Sequence, residues 1–377
     1  MHGSSLLEYF QSRIPDMMHL AQKLVEHESP SIDREAVNRF SSWLGGVYRE
    51  LGARVETIPG GQSGDNLRVE FGEGERQALI LCHMDTVWPL GEVARRPFRV
   101  EGDRVSGPGI YDMKAGFLYT AEVFRAARHF GVSFPKRVVI LCNSDEEIGS
   151  PSSRGVIEAE AAKSDYVLVL EPSAPGGAVK SSRKGQGTFH LRVRGVAAHS
   201  GSDHERGVSA IEELARHVLA LQALTDYASG TTVNVGIVSG GTRSNVVAAE
   251  AHADIDVRVV STSAMESVES AILGLKPTRQ GISVEVTGGF GRPPMVRNEQ
   301  TVRLYTKAKA IAAELGFDLP ESATGAGSDG NFTAHLGVPT LDGLGAVGDG
   351  SHAVHEHMIV SALPQRISLL FRILCEF

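Results

Sequence analysis

Three stretches of this chain end an apolar run in residues that can bind a metal or move a proton. Residues 137–150 read RVVILCNSDEEIGS, where the run Val138 to Cys142 stops in Asp145, Glu146 and Glu147. Residues 78–87 read ALILCHMDTV, ending in His83 and Asp85, and residues 166–173 read YVLVLEPS, ending in Glu171. Uninterrupted apolar runs with β-branched weighting predict strands buried on both faces, as in a parallel sheet. In open α/β sheets the ligand crevice lies beyond the carboxyl ends of the strands. Two adjacent glutamates are costly to hold there unless positive charge sits beside them. A metal ion would supply it, with one glutamate as ligand and its neighbour facing the substrate as a base. His83 is a metal-ligand type. Asp85, two residues on, points to the same side of an extended chain and can brace a ligand. A solvated acidic turn or a structural histidine explains any one of these endings. Three in one chain point to a shared rim.

The elements that must position these residues follow from periodicity. Residues 5–27 read as an amphipathic helix interrupted near Pro15, and 34–51 as a second helix closed by Gly52. Strands are predicted at 54–58 and 66–71. Residues 88–111 read as loop and short strand, ending in GPGIYDMK before a helix over 115–130. Asp112 stands at that helix's N-terminus, where a plain cap is the simplest role. After Glu171 the texture changes to one-sided alternation, clearest over 249–259, and the element order is β-α-β-β-α-β, the split ferredoxin-like pattern. The predicted class is therefore α/β. A mostly parallel sheet with helices on both faces spans 1–181 and 291–377, and a ferredoxin-like insert spans 182–290. The last part holds a helix over 301–315, a glycine-rich loop from Thr324 to Gly330, a strand over 338–341, a loop with His352, His355, Glu356 and His357, and a helix over 360–376. The loop lacks the Lys-Ser/Thr of a phosphate-binding motif.

Composition bounds the function. A chain of 377 residues suits two domains. Its net charge of −8 without a basic tract argues against nucleic acid or an anionic membrane as partner. Cys82, Cys142 and Cys375 form no CxxC pair, which suits a reducing compartment. The expectation is cytoplasmic, since no run has transmembrane length and residues 1–10 lack a signal-peptide layout.

Taken together, LCHMDTV, GPGIYDMK, NSDEEIGS, LEPS, GVAAHSG, GAGSDG and GSHAVHE resemble a family of zinc-dependent exopeptidases and deacylases. That family includes glutamate carboxypeptidases, acetylornithine deacetylases, succinyl-diaminopimelate desuccinylases and aminoacylases. The resemblance covers nearly the whole chain and is nearest to the glutamate carboxypeptidase branch.

The resemblance implies two zinc ions per chain, with Co²⁺ or Mn²⁺ as possible substitutes. His83 and Glu171 would hold one, Glu147 and His352 the other, and Asp112 would bridge them, with a cis bond after Asp112. His355 remains a rival to His352, which is preferred for its four-residue spacing to Glu356. Glu146 would be the general base, Asp85 a supporting catalytic residue, and His199 an oxyanion stabiliser reaching from a partner's lid domain. A homodimer through that domain follows. Arg258, Asn245, Arg292, Thr324 and Gly327 would recognise the substrate carboxylate, with Lys180, Arg183 or Lys184 as a further basic residue. The implied substrate is a small peptide or N-acyl amino acid. The implied reaction is hydrolysis of an amide beside a free carboxylate, with N-acyl-amino-acid deacylation as the alternative. A non-catalytic metal-binding protein on the same scaffold is a third reading, and Glu146 speaks against it.

Overall fold

The computed structural model describes residues 3–377, which divide into two compact units. The first runs up to Ser182 and resumes over Arg297–Thr324 and Ser328–Phe377; the second holds Arg183–Val296 and Gly325–Gly327.

The first unit is built on a six-stranded sheet. Its spatial order is Arg54–Ile58, Asn66–Phe71, Arg137–Asn143, Gln77–His83, Ser164–Val169, Thr340–Leu341. The last four run parallel, and Asn66–Phe71 pairs antiparallel with both of its neighbours. Every residue of Gln77–His83 is buried, as its unbroken apolar run predicts. Alternate side chains of the central strands enter two separate cores. Ala78, Ile80, Val138, Ile140 and Leu168 pack with the large helices, including Arg34–Glu50, Ala115–Phe130 and Leu363–Glu376. Leu79, Leu81, Val139, Leu141 and Val167 pack with Ile157 and Phe332, from the short helices Arg154–Ala161 and Gly330–His335. Helices thus cover both faces, as a parallel sheet requires.

The N-terminal helical stretch is two helices, Gly3–Ser12 and Ile14–Glu26, because Pro15 sits in the first turn of the second, where its missing N–H costs nothing. A small antiparallel sheet joins Gly348–Asp349, His357–Ile359, Arg104–Ser106 and Arg99–Glu101. Its hairpin from 348 to 359 carries His352.

The second unit is a four-stranded antiparallel sheet in the order Thr232–Gly240, Glu250–Val259, Gly185–Arg194, Ser283–Arg292. Helices Ala210–Gln222 and Thr262–Leu273 pack on one face. Burial alternates strictly along Glu250–Val259, with Ala251, Ala253, Ile255, Val257 and Val259 inward. Among the described residues, no helix is long and apolar enough to cross a membrane.

Candidate metal centre

Three neighbouring parallel strands end at one rim. Gln77–His83 lies between Arg137–Asn143 and Ser164–Val169, with His83 in register with Asn143. Their carboxyl ends deliver His83, the Glu146–Glu147 turn and Glu171. Two loops complete the group. One, after Gly109, carries Asp112 and a cis Asp112–Met113 bond. The other is the hairpin with His352, whose φ is +61°.

The distances place Asp112 between two imidazoles. Its Oδ1 lies 3.2 Å from His83 Nε2 and its Oδ2 3.5 Å from His352 Nε2. His83 Nε2 also lies 3.5 Å from Glu171 Oε1, and His352 Nε2 lies 2.9 Å from Glu147 Oε2. The rival histidine is elsewhere: His355 Nε2 is 4.0 Å from Asp349 on its own hairpin. Candidate ligand atoms of His83, Asp112 and Glu147 lie within 4.8 Å of one another, and so do those of His83, Glu146 and Glu171.

This donor set fits zinc, which takes imidazole nitrogen and carboxylate oxygen. The support around it fits too. His83 Nδ1 donates to the main-chain oxygen of Asp85 at 2.9 Å, which leaves Nε2 to face the acids. Burial works against a charged His83, but hydrogen bonds to Asp112, Asp85 and Glu171 outweigh it and hold its pKa well above the ordinary value. The hydrogen bond to Glu147 pushes His352 up to about 9, against partial burial.

Side chains beyond the expected set build the rim. Ser31 Oγ donates to Asp85 Oδ2 at 2.7 Å, tying the turn after the second helix to the site. Tyr111 Oη donates to the oxygen of Ser173 at 2.8 Å, linking the Asp112 loop to the segment after Glu171. Buried Asp329, in the glycine-rich loop, accepts from Asn143 Nδ2 at 2.6 Å and from Ser150 Oγ. Glu356 accepts four N–H groups around Asp112. Burial pushes its carboxyl up to about 7 while those donors pull it down. Its spacing from His352 was the one sequence signal for it.

The second unit carries most of the expected substrate binders. His199 is exposed, and its Nδ1 accepts the N–H groups of Gly201 and Ser202 at 3.1 Å. Ser200 N donates to the oxygen of Asn245 at 3.0 Å, so His199 and Asn245 share one corner. Arg258 donates twice to the Asp256 carboxylate at 3.0 Å and once to Gly325 O at 3.4 Å. Arg292 is buried at the end of its strand. Arg183 is 1 % exposed and donates to Ala326 O and Gly327 O, and Lys184 donates to Gly230 O. Thr324 ends the short strand Glu321–Thr324 of the first unit.

Comparison with known proteins decides the family. The model of peptidase family M20/M25/M40 matches residues 79–376. The chain belongs to this M20 family. It is a hydrolase of metallopeptidase type, and the matched stretch contains His83, Asp112, Glu146, Glu147, Glu171 and His352. Carboxypeptidase G2 of Pseudomonas sp. (strain RS-16) is 33% identical over 96% of this chain and 89% of its own. A succinyl-diaminopimelate desuccinylase of Hydrogenovibrio crunogenus is 26% identical over 95% of this chain and 97% of its own. Among solved structures, aminopeptidase PepT from Bacillus cereus superposes with a TM-score of 0.79 at 22% identity, covering 96% of this chain and 98% of the other.

Proposed function

We propose that this M20 member hydrolyses an amide bond beside a free carboxylate and releases a glutamate-like amino acid. The observation that carries the reading is Asp112 between His83 and His352, within 3.5 Å of each. In this reading His83 and Glu171 would hold one zinc ion, Glu147 and His352 would hold a second, and Asp112 would serve both. Zinc bound there supplies Lewis acidity, which lowers the pKa of a water and polarises a carbonyl. Glu146 takes a proton from the attacking water and passes it to the leaving nitrogen. Asp85 holds the main chain of Glu146 in place for that transfer. His199, reaching from the other copy of the proposed dimer, donates to the oxyanion. Arg258, Asn245 and Arg292, with Thr324 and Gly327, take the substrate carboxylate, for which a guanidinium fork is well shaped. The likeness to carboxypeptidase G2 supports a glutamate-like leaving group.

The proposed assembly is a cytoplasmic homodimer through the second unit. Its outer strand Thr232–Gly240 pairs on one side only and exposes Ile237 and Val238, which supports an edge that pairs with another copy. The second reading is an N-acyl-amino-acid deacylase, favoured by the likeness to the desuccinylase. A panel of folate-, peptide- and acyl-linked amino acids, run on zinc-loaded protein, separates the two. Turnover of N-acetyl or N-succinyl amino acids alone would remove the carboxypeptidase reading.

A further inference from the structure

Glu356 is fully buried on the hairpin that carries His352, yet its carboxylate serves another loop. Its Oε1 accepts the main-chain N–H groups of Tyr111 at 3.0 Å and Asp112 at 3.1 Å. Its Oε2 accepts the N–H of Gly109 at 2.9 Å and the indole N–H of Trp88 at 2.9 Å. The segment from Gly109 to Asp112 lies outside every strand, so no sheet ladder satisfies these N–H groups. Buried donors without acceptors are costly, and an ionised carboxylate is the acceptor-only group that can take four of them.

We propose that Glu356 is a positioning residue for the metal centre, coupling the His352 hairpin to the Asp112 loop so that Asp112 meets both imidazoles. The proposal rests on the zinc reading above. Fixing the N–H of Asp112 fixes the peptide plane on its amino side, and with it the direction in which the carboxylate leaves the main chain. That carboxylate must reach His83 on a strand end and His352 on a hairpin. The hairpin is itself closed tightly behind Glu356: a Cβ on Gly350 would lie 2.9 Å from the Glu356 Cα and N. Moving Glu356 therefore shifts His352 and Asp112 together.

The test compares Glu356→Gln, Glu356→Asp and a control in the full chain, each stripped with a chelator and titrated with zinc against a chromophoric competitor. Glu356→Gln sets an NH₂ against N–H donors, and its zinc affinity should fall about 10–100-fold, the range seen when groups supporting metal ligands are lost. Glu356→Asp keeps an acceptor-only carboxylate, one methylene short, and should fall between. The control is Asp103→Ala, which cuts the 2.7 and 2.6 Å bonds to Ser361 at the far side of the same small sheet. It should lower the unfolding temperature and leave zinc affinity alone. The proposal fails if Glu356→Gln binds zinc as tightly as the unaltered chain, or if Asp103→Ala weakens zinc as much. Should Glu356→Gln not fold, Glu356→Asp decides: unaltered zinc affinity in that variant overturns the proposal. If the unaltered chain itself binds fewer than two ions, the zinc reading fails independently of Glu356.

Discussion

Asp85 accepts the main-chain N–H of Glu146 on one carboxylate oxygen and that of Glu147 on the other, each at 3.1 Å. One acid just past the end of the first site strand thus sets the direction of both glutamates just past the end of the next. Its main-chain oxygen also takes His83 Nδ1. Asp85→Asn presents an NH₂ to one of those N–H groups and breaks the arrangement on one side. We expect metal affinity or kcat/KM to drop about 10–100-fold, as for other groups that orient metal ligands. Steady-state kinetics at saturating zinc, with a metal count, checks this. A variant with unchanged kinetics and metal content would show that the two glutamates hold their places without Asp85.

Glu146 and Glu147 differ in their partners. Glu147 meets His352 at 2.9 Å, while Glu146 shares a potential ligand group with His83 and Glu171. If Glu146 moves the proton, Glu146→Gln keeps the shape and removes the basicity. Turnover should fall about 10²–10⁴-fold, the usual contribution of a positioned base, with zinc content retained. Loss of zinc in parallel with turnover would instead make Glu146 a ligand.

The site strands were legible in the sequence because Gln77–His83, Arg137–Asn143 and Ser164–Val169 are buried on both faces, so their apolar runs are unbroken. The alternation of Glu250–Val259 was legible for the opposite reason, one face being covered and one open. Strands too short or too polar to show a period were not: Val179–Arg183 pairs with Glu321–Thr324, and the sheet around the His352 hairpin is made of two- and three-residue strands. Helix Gly330–His335 was hidden because it starts inside the glycine-rich loop. Among candidate ligands, spacing alone left His352 and His355 open. Only the hairpin's path, with His352 at positive φ, sends one toward Glu147 and the other toward Asp349. The spacing to His352 pointed to Glu356, but its role did not show, because three of its four partners are main-chain N–H groups, which carry no sequence signature.

Zinc binding should depend on pH in a defined direction. Zinc takes neutral imidazole, so a bound proton competes with it. His352 holds its proton up to about 9 beside Glu147 in the absence of metal, and His83 is raised in the same sense. Below that range each binding event must displace protons, so apparent affinity should rise with pH through neutrality. Titration calorimetry at pH 7 in two buffers of different ionisation enthalpy should show net proton release. Equal heats in the two buffers would mean that neither imidazole gives up a proton to the metal.

Two glycines separate crowding at the site from crowding elsewhere. Gly345 N donates to Glu171 O at 3.0 Å, and a Cβ there would lie 2.1 Å from Leu170 O and 2.8 Å from Glu171 O. Those are main-chain atoms at the end of a buried strand, so they cannot swing aside. Gly345→Ala must therefore displace the segment that presents Glu171, at a cost of about 1–3 kcal/mol, the usual range for overpacking. Gly46, inside helix Arg34–Glu50, has nothing within 4 Å of a built Cβ. Gly46→Ala should raise stability by about 0.5–1 kcal/mol through helix propensity alone. Urea titrations of the two variants should move in opposite directions. Zinc affinity should fall only in Gly345→Ala, because only there does the added methyl press on a ligand's main chain. If Gly345→Ala lost stability but bound zinc unchanged, Glu171 would not depend on this contact for its place.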